Sequence, residues 1–207
     1  DTADVKILPT QKEIIFSNET KNIDITGLNK KTFVSKILEE RRLNTSQLGS
    51  ITNILITTKT DGIIKIPTTG ELLNLLEIKL PDSLFKYLDN EFMFGVHSVR
   101  NIEPFLILKT SSFENAFTGM LAWEKNMEND LGFIFIESPN KNKTADENNV
   151  WLTTDSGTTM SESFINIKKT FEDVVIRNKD TRVLNDAKGN SKLMYLFPDR
   201  NTILITT

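Results

Sequence analysis

Residues 92–109, FMFGVHSVRNIEPFLILK, contain two apolar runs separated by a polar connector. Each run has the length and the aromatic and β-branched content of a strand, and the connector VRNIEP is short enough to join a hairpin. We therefore predict two antiparallel strands, near residues 91–98 and 105–110. This hairpin decides the fold class, because it predicts that the middle of the chain forms part of a β-sheet and not a helix.

The first strand of this hairpin holds His97, the only histidine in the chain. Alternation along a strand places His97 on the face of Met93 and Gly95, opposite Phe92 and Phe94, and therefore on the less apolar face. No Ser, Asp or Glu at a triad spacing accompanies it. We therefore interpret His97 as a structural residue of the sheet and not as a catalytic one. With no cysteine and no glycine-rich phosphate loop either, we expect no catalytic residue, no metal and no cofactor.

Upstream of the hairpin, the sequence alternates between strand and helix patterns. We expect a first strand around residues 12–16, an amphipathic helix over 29–42 and a β-branched strand over 51–59. Thr68 and Glu71 have the spacing of a helical capping box at the start of a leucine-rich segment.

Downstream of the hairpin lies the clearest helix pattern, over residues 111–131. Ser111 and Glu114 form a second predicted capping box. The expected apolar stripe consists of Phe113, Phe117, Met120, Leu121, Met127 and Leu131. We expect this stripe, including Phe117, to be buried, with Trp123 packing at its edge.

The final segment, residues 170–207, has four short strand-like runs, with the turn sequences AKGN and PDRN among their connections. Strands and helices in mixed order with several hairpins predict an α+β fold. In such a fold, a mostly antiparallel or mixed sheet carries amphipathic helices on one face. We assign residues 1–18 to an extended lead-in or stalk and residues 19–207 to a single α+β domain.

A long polar segment, at about residues 137–167, exceeds most loops in compact domains, so we expect it to be either a mobile loop or a functional one. Trp151 lies in it with no evident core to join, which suggests a contact anchor. Asp155 begins the sequence DSGT, which resembles the aspartic-protease motif, although two copies are needed to share a proton and the chain has one. The same residues are ordinary turn formers. Trp151 and Asp155 are therefore our candidate interaction residues.

The charges exclude one class of partner. The chain has 25 basic and 28 acidic residues, which are interleaved and give a net charge of -3. Binding to a nucleic-acid backbone needs a basic stripe, so we expect no nucleic-acid partner. No apolar run approaches the length of a membrane span, so we expect membrane contact only through an anchor outside this sequence.

Three blocks of sequence carry a family resemblance: NEFMFGVHS, PFLILKTSSFENAFTGMLAWEKNMENDL and NKDTRVLNDAKGNSKLMYLFPDRNTILITT. Together they resemble an uncharacterised family of predicted single-pass membrane-anchored proteins from ultra-small bacteria of the candidate phyla radiation. The resemblance implies a transmembrane helix before Asp1 and a domain held outside the cytoplasm, at the cell envelope. It implies no catalytic residue.

These observations lead to three functional hypotheses. The first is a non-enzymatic, extracytoplasmic binding or assembly domain of a membrane-anchored envelope protein, with a protein or an envelope polymer as its partner. The second is a structural homo-oligomeric subunit or spacer. The third is an aspartic-protease-like hydrolase that uses Asp155 and is completed by dimerisation.

Overall fold

A computed structural model describes residues 13–44, 46–99, 101–136, 170–186 and 188–207. In chain order the elements are β1 (Glu19–Asp24), α1 (Lys30–Leu43), β2 (Ile51–Thr60), β3 (Ile63–Lys65), α2 (Thr69–Leu75), α3 (Asp82–Phe85), β4 (Leu88–Ser98), β5 (Ile102–Thr110), α4 (Phe113–Phe135), β6 (Phe171–Ile176), β7 (Lys179–Asn185), β8 (Ser191–Asp199) and β9 (Thr202–Thr206).

The nine described strands form one mixed sheet in the order β1-β2-β4-β5-β9-β8-β7-β6, with β3 attached to the end of β2. β1 pairs with β2 in parallel, and all other pairings among these strands are antiparallel. The predicted hairpin is confirmed as β4 and β5, and the predicted C-terminal strands as β6 to β9. β9 lies between β5 and β8 and so joins the two halves of the sheet.

Local sequence signals explain where the first helices begin. The Asn29 side chain accepts a hydrogen bond from the Thr32 backbone N–H, and the Thr32 hydroxyl accepts one from the Asn29 N–H. Thr68 and Glu71 make the same reciprocal pair at the start of α2. Each pair satisfies backbone donors that a helix N-terminus otherwise leaves free, so both predicted starts are confirmed.

The main hydrophobic core lies between the helices and one face of the sheet. Phe92, Phe94 and Val96 of β4 point into it, as do Leu106 and Leu108 of β5. The helices contribute Phe33, Ile37, Leu72, Leu73, Leu84, Met120, Trp123, Met127, Leu131, Ile134 and Phe135. The α+β class, with amphipathic helices packed on one face of a mostly antiparallel sheet, is therefore confirmed.

α4 buries only part of the predicted apolar stripe: Met120, Met127 and Leu131 are buried as predicted. Phe117 is 39% exposed and Leu121 is exposed too, whereas Trp123 is fully buried. The reason lies in the small residues: a Cβ placed on Gly119 would lie 2.5 Å from Leu84 Cβ, so α3 packs directly on the glycine. The prediction that Phe117 belongs to the core is therefore wrong, and the prediction that Trp123 packs is confirmed.

The predicted capping box at the start of α4 is also wrong. Ser112, not Ser111, is the N-cap, and its side chain makes no capping hydrogen bond. The Ser111 hydroxyl instead donates to the Tyr87 carbonyl, and Glu114 pairs with Arg200. Contacts with the turn that follows α3 and with the end of β8 have displaced the local motif.

The opposite face of the sheet carries a second, smaller apolar cluster. It contains Met93, Phe105 and Ile107. A Cβ on Gly95 would lie 2.6 Å from the Phe105 ring, so only glycine permits this ring to cross β4. His97 lies further along the same face, as predicted.

The first predicted strand is wrong. Residues 13–16, the described part of it, are not in a strand, and β1 begins at Glu19. The Glu13 carboxylate accepts hydrogen bonds from the Ser17 backbone N–H at 3.2 Å and hydroxyl at 2.6 Å, which bends the chain. Ile14 packs against the second cluster. The division into a lead-in over 1–18 and a single domain over 19–207 stays a prediction.

Candidate interaction site

β6 forms one edge of the sheet. Its register with β7 is continuous, from Ile176 opposite Lys179 to Phe171 opposite Leu184. Arg177 and Asn178 both have positive φ, at 49° and 61°, as a two-residue type I′ turn requires. β6 pairs with no other strand in the described part of the chain.

The turn determines which backbone groups of β6 point outward. In a two-residue hairpin the residues that flank the turn form a hydrogen-bonded pair, and the pattern then alternates along the strands. Phe171, Asp173 and Val175 therefore direct their N–H and C=O groups away from β7. The Phe171 carbonyl accepts a hydrogen bond from Arg182 Nη2 at 3.1 Å. The N–H and C=O groups of Asp173 and Val175 are left to face outward.

The side chains of β6 are unusually apolar for an edge. Val174, Val175 and Ile176 are all exposed, and Val175 reaches 69%. Edge strands usually carry charged side chains, proline or a bulge that blocks further pairing. The two charges of β6, Glu172 and Asp173, lie in its first half, and residues 174–176 have neither a charge, a proline nor a bulge. We call the outward side of residues 171–176 the β6 edge.

A cleft of about 330 Å³ opens beside the β6 edge, on the face that the helices cover elsewhere. We call it the edge cleft. Its lining includes Phe117 from α4, Asp173 and Val175 from β6, Arg182 from β7, and Tyr195 and Phe197 from β8. Phe117, which we predicted to lie in the core, instead lines this open cleft.

Three phenyl rings are gathered at one side of the edge cleft. The ring centroids of Phe113 and Phe197 are 5.1 Å apart in an edge-to-face arrangement, and Phe117 lies 5.9 Å from Phe113 and 6.0 Å from Phe197. The Arg200 guanidinium lies 5.3 Å from the centroid of the Phe113 ring. Such contacts fix the orientation of aromatic rings, so the apolar wall of the cleft is preformed.

The polar side of the edge cleft is a hydrogen-bonded network around Glu124. Its carboxylate accepts hydrogen bonds from Arg182 Nε at 2.7 Å, Arg182 Nη2 at 2.8 Å and the Tyr195 hydroxyl at 2.7 Å. Arg182 Nη1 also lies 2.9 Å from Asp173 Oδ1. The guanidinium of β7 thus ties α4 to the edge strand.

This network holds the polar side of the cleft in place. The hydrogen bond from Glu124 raises the pKa of Arg182 above its ordinary value, while burial opposes the shift. Burial, with the hydrogen bond to Glu124 adding to it, raises the pKa of Tyr195, so its phenol remains a neutral donor. Because Glu124 and Asp173 already neutralise Arg182, the cleft is not suited to an anionic ligand.

His97 lies elsewhere, on the opposite face of the sheet. Its Nε2 is 3.5 Å from Glu103 Oε2 and 3.3 Å from Thr206 Oγ1. The Thr206 hydroxyl in turn donates to the Pro104 carbonyl at 3.0 Å. These partners come from β5 and β9, so His97 links neighbouring strands.

The two residues that the sequence singled out, Trp151 and Asp155, lie outside the described residues, as does the polar loop at 137–167. Among the residues that the structure does describe, no group of three or more His, Cys, Asp or Glu is placed to hold a metal ion. No helix within the described ranges is both long enough and apolar enough to cross a membrane.

Sequence reasoning missed the β6 edge because an edge is a property of the sheet order. A signal was nevertheless present. Val174, Val175 and Ile176 are three consecutive apolar residues. A strand with one face on a core buries only every second side chain, so it needs apolar residues only at alternate positions. The apolar residue that this core face does not need predicts either that the strand is buried on both faces or that its outer face is an exposed contact surface.

No protein-family model, no curated protein and no solved structure matches this chain. The geometry of the β6 edge and the edge cleft therefore carries the functional argument.

Proposed function

We propose that this chain is a non-enzymatic binding or assembly domain that engages a protein partner at the β6 edge. The observation that carries the proposal is the exposed apolar edge strand beside a preformed aromatic cleft. Partner strands add to such edges through backbone hydrogen bonds, while alternate side chains enter neighbouring pockets.

This recognition mode needs outward backbone groups on an edge strand and a neighbouring pocket for a side chain, and the chain has both. The outward N–H and C=O groups of Asp173 and Val175 offer hydrogen bonds to a strand of any sequence. The edge cleft, with Phe117 and Phe197 in its lining, offers an apolar site for a side chain on the helix-side face. The backbone contacts would supply affinity and the cleft would supply selectivity.

The setting we propose is the outer side of the cytoplasmic membrane, with the chain held there by an anchor outside this sequence. The family resemblance of the blocks at 90–98, 104–131 and 178–207 supports this setting. A protein partner fits the β6 edge better than an envelope polymer does, because its outward backbone groups, which pair with no strand among the residues described, are those that complete a β-ladder.

Capture from envelope fractions tests the proposal. Wild-type protein is compared with Val175→Lys, which puts a charge on the β6 edge, and with Thr20→Lys on the polar edge strand β1. We expect Val175→Lys to lose the captured proteins and Thr20→Lys to retain them. A further variant that lacks residues 140–160 tests the polar loop as the alternative contact surface.

Two results would contradict the proposal. Equal capture by wild type and Val175→Lys, with loss in the variant lacking residues 140–160, would move the contact to the polar loop. Peptide hydrolysis that Asp155→Asn abolishes would replace the non-enzymatic assignment with the protease.

A further inference from the structure

We infer that the partner at the β6 edge is a second copy of this chain, joined by antiparallel pairing of β6 with itself about a two-fold axis. This inference rests on the proposed function, because both use the β6 edge. It adds the identity of the partner and the register of the pairing. The dimer would join two nine-stranded sheets into one.

The strands at the two ends of the sheet order, β1 and β6, differ in a way that favours β6. The other edge strand, β1, has the sequence ETKNID, and its one fully buried residue, Ile23, faces the core. A polar edge with a lysine resists further pairing. β6, with the sequence FEDVVI, combines exposed apolar residues with outward backbone groups that pair with no other strand in the described ranges. Strand addition is therefore favoured at β6 over β1.

Hydrogen bonding limits the registers that β6 can adopt with itself. In an antiparallel pair, residues with outward N–H and C=O groups must face one another. Three registers keep the middle of β6 in the pairing. They place Asp173 opposite Asp173, Asp173 opposite Val175, or Val175 opposite Val175.

Side-chain chemistry selects the third register. The first brings two aspartates directly opposite each other, which is destabilising. The second sets each carboxylate against a valine and so forms neither an apolar pair nor a pair of opposite charges. The third places Val175 opposite Val175 at the two-fold axis and Val174 opposite Ile176. It also brings Arg177, in the turn that follows β6, near Asp173 of the other copy, so that opposite charges meet on both sides of the axis.

The same register brings the two edge clefts together. Val175 lines the edge cleft, and its side chain is 69% exposed in the single chain. At the two-fold axis, Val175 of each copy would lie beside the cleft of the other. The apolar surface of Phe117 and Phe197 would then continue across the interface, which extends the contact beyond the two strands.

Sedimentation equilibrium of the purified chain, from micromolar to millimolar concentration, tests the inference. We expect wild type to dimerise and Val175→Lys, which places two lysines face to face at the axis, to raise the dimer Kd at least about tenfold. Thr20→Lys, at the other edge, should leave the Kd unchanged. Matching circular dichroism melts for the three proteins would show that each variant is folded, as expected for exposed positions.

Two further variants test the register. Arg177→Glu would put a carboxylate near Asp173 twice in each dimer and should raise the Kd about tenfold, an effect that salt should reduce. The chain has no cysteine, so Val175→Cys carries a single thiol. A short bifunctional maleimide should link two Val175→Cys chains and should not link two Thr20→Cys chains.

The outcomes separate this inference from the proposed function. A wild type that stays monomeric throughout, or a dimer that survives Val175→Lys, would overturn the second copy as partner. If Val175→Lys nevertheless abolished capture of envelope proteins, the β6 edge would still be the binding surface, for a different strand. A dimer that is insensitive to Arg177→Glu would overturn the register.

Discussion

Replacing Glu124 by glutamine should lower the free energy of unfolding by about 2–3 kcal/mol. Only 15% of the Glu124 side chain and 18% of the Arg182 side chain are exposed, so the lost charge leaves a guanidinium that water reaches poorly. Removing one partner of a buried pair costs about 3–5 kcal/mol. The cost here is smaller because Arg182 keeps two acceptors, Asp173 and the Phe171 carbonyl.

Two variants with smaller expected effects provide a scale for the free-energy loss in Glu124→Gln. Tyr195→Phe removes one hydrogen bond to the carboxylate and keeps the buried ring, so it should cost about 1–1.5 kcal/mol. Asp173→Asn removes a partner whose side chain is 87% exposed, and it should cost about 0.5 kcal/mol or less. The expected order of destabilisation is therefore Glu124→Gln, then Tyr195→Phe, then Asp173→Asn.

Urea and thermal unfolding at neutral pH, followed by circular dichroism, measure these differences. For a chain of this size, the Glu124→Gln effect corresponds to a drop in Tm of about 5–10 °C. In the double variant with Arg182→Gln, both charges are removed, so its destabilisation should be less than the sum of the two single variants. A Glu124→Gln protein as stable as Asp173→Asn would refute the view that this network holds α4 to β6 and β7.

Three further substitutions test the fold. Gly119→Ala should cost about 1–3 kcal/mol, because its Cβ would lie 2.5 Å from Leu84 Cβ; a chemical denaturation curve like that of wild type would contradict this packing. Phe117→Ala should cost less than about 1 kcal/mol, whereas Met120→Ala, at a fully buried position, should cost about 2–5 kcal/mol; the same denaturation assay gives their ranking, and the reverse order would contradict the assigned helix face. The hydrogen bond from the Thr68 backbone N–H holds the pKa of Glu71 in the folded protein below the ordinary 4.5. The ionised Glu71 therefore stabilises the fold fully above pH 4.5, and this stabilisation is lost as the pH falls through the pKa of the folded state. Urea midpoints measured between neutral and acid pH should therefore fall less steeply for Glu71→Gln than for wild type, and equal slopes would argue against the capping contact.

The parts of the fold that the sequence predicts are local ones. The helix starts at Asn29 and Thr68 are satisfied by residues three positions away, and the β4–β5 hairpin is closed by a short connector. Such contacts leave a pattern within one window of sequence. The buried face of α4 could be predicted only in part: Met120, Met127 and Leu131 are buried as expected, but the close contact at Gly119 appears only once α3 is known to lie against it.

The candidate site depends on long-range order and was therefore beyond sequence reasoning. β6 is an edge only because β9 pairs with β5 and β8 and leaves the β6–β7 hairpin outermost. Glu124 and Arg182 meet across 58 positions of the chain, and no spacing rule connects them. The predicted interaction residues, Trp151 and Asp155, remain predictions, since they lie outside the described ranges.

The interior position of β9 has a consequence for how the protein is made. Its neighbours β5 and β8 have no direct pairing with each other, so the sheet stays in two halves until Thr202–Thr206 has been synthesised. A nascent chain would meanwhile expose two additional sheet edges, at β5 and β8, both with apolar residues. Pairings between distant strands form slowly. A chain stalled before β9 would therefore be a natural substrate for chaperones.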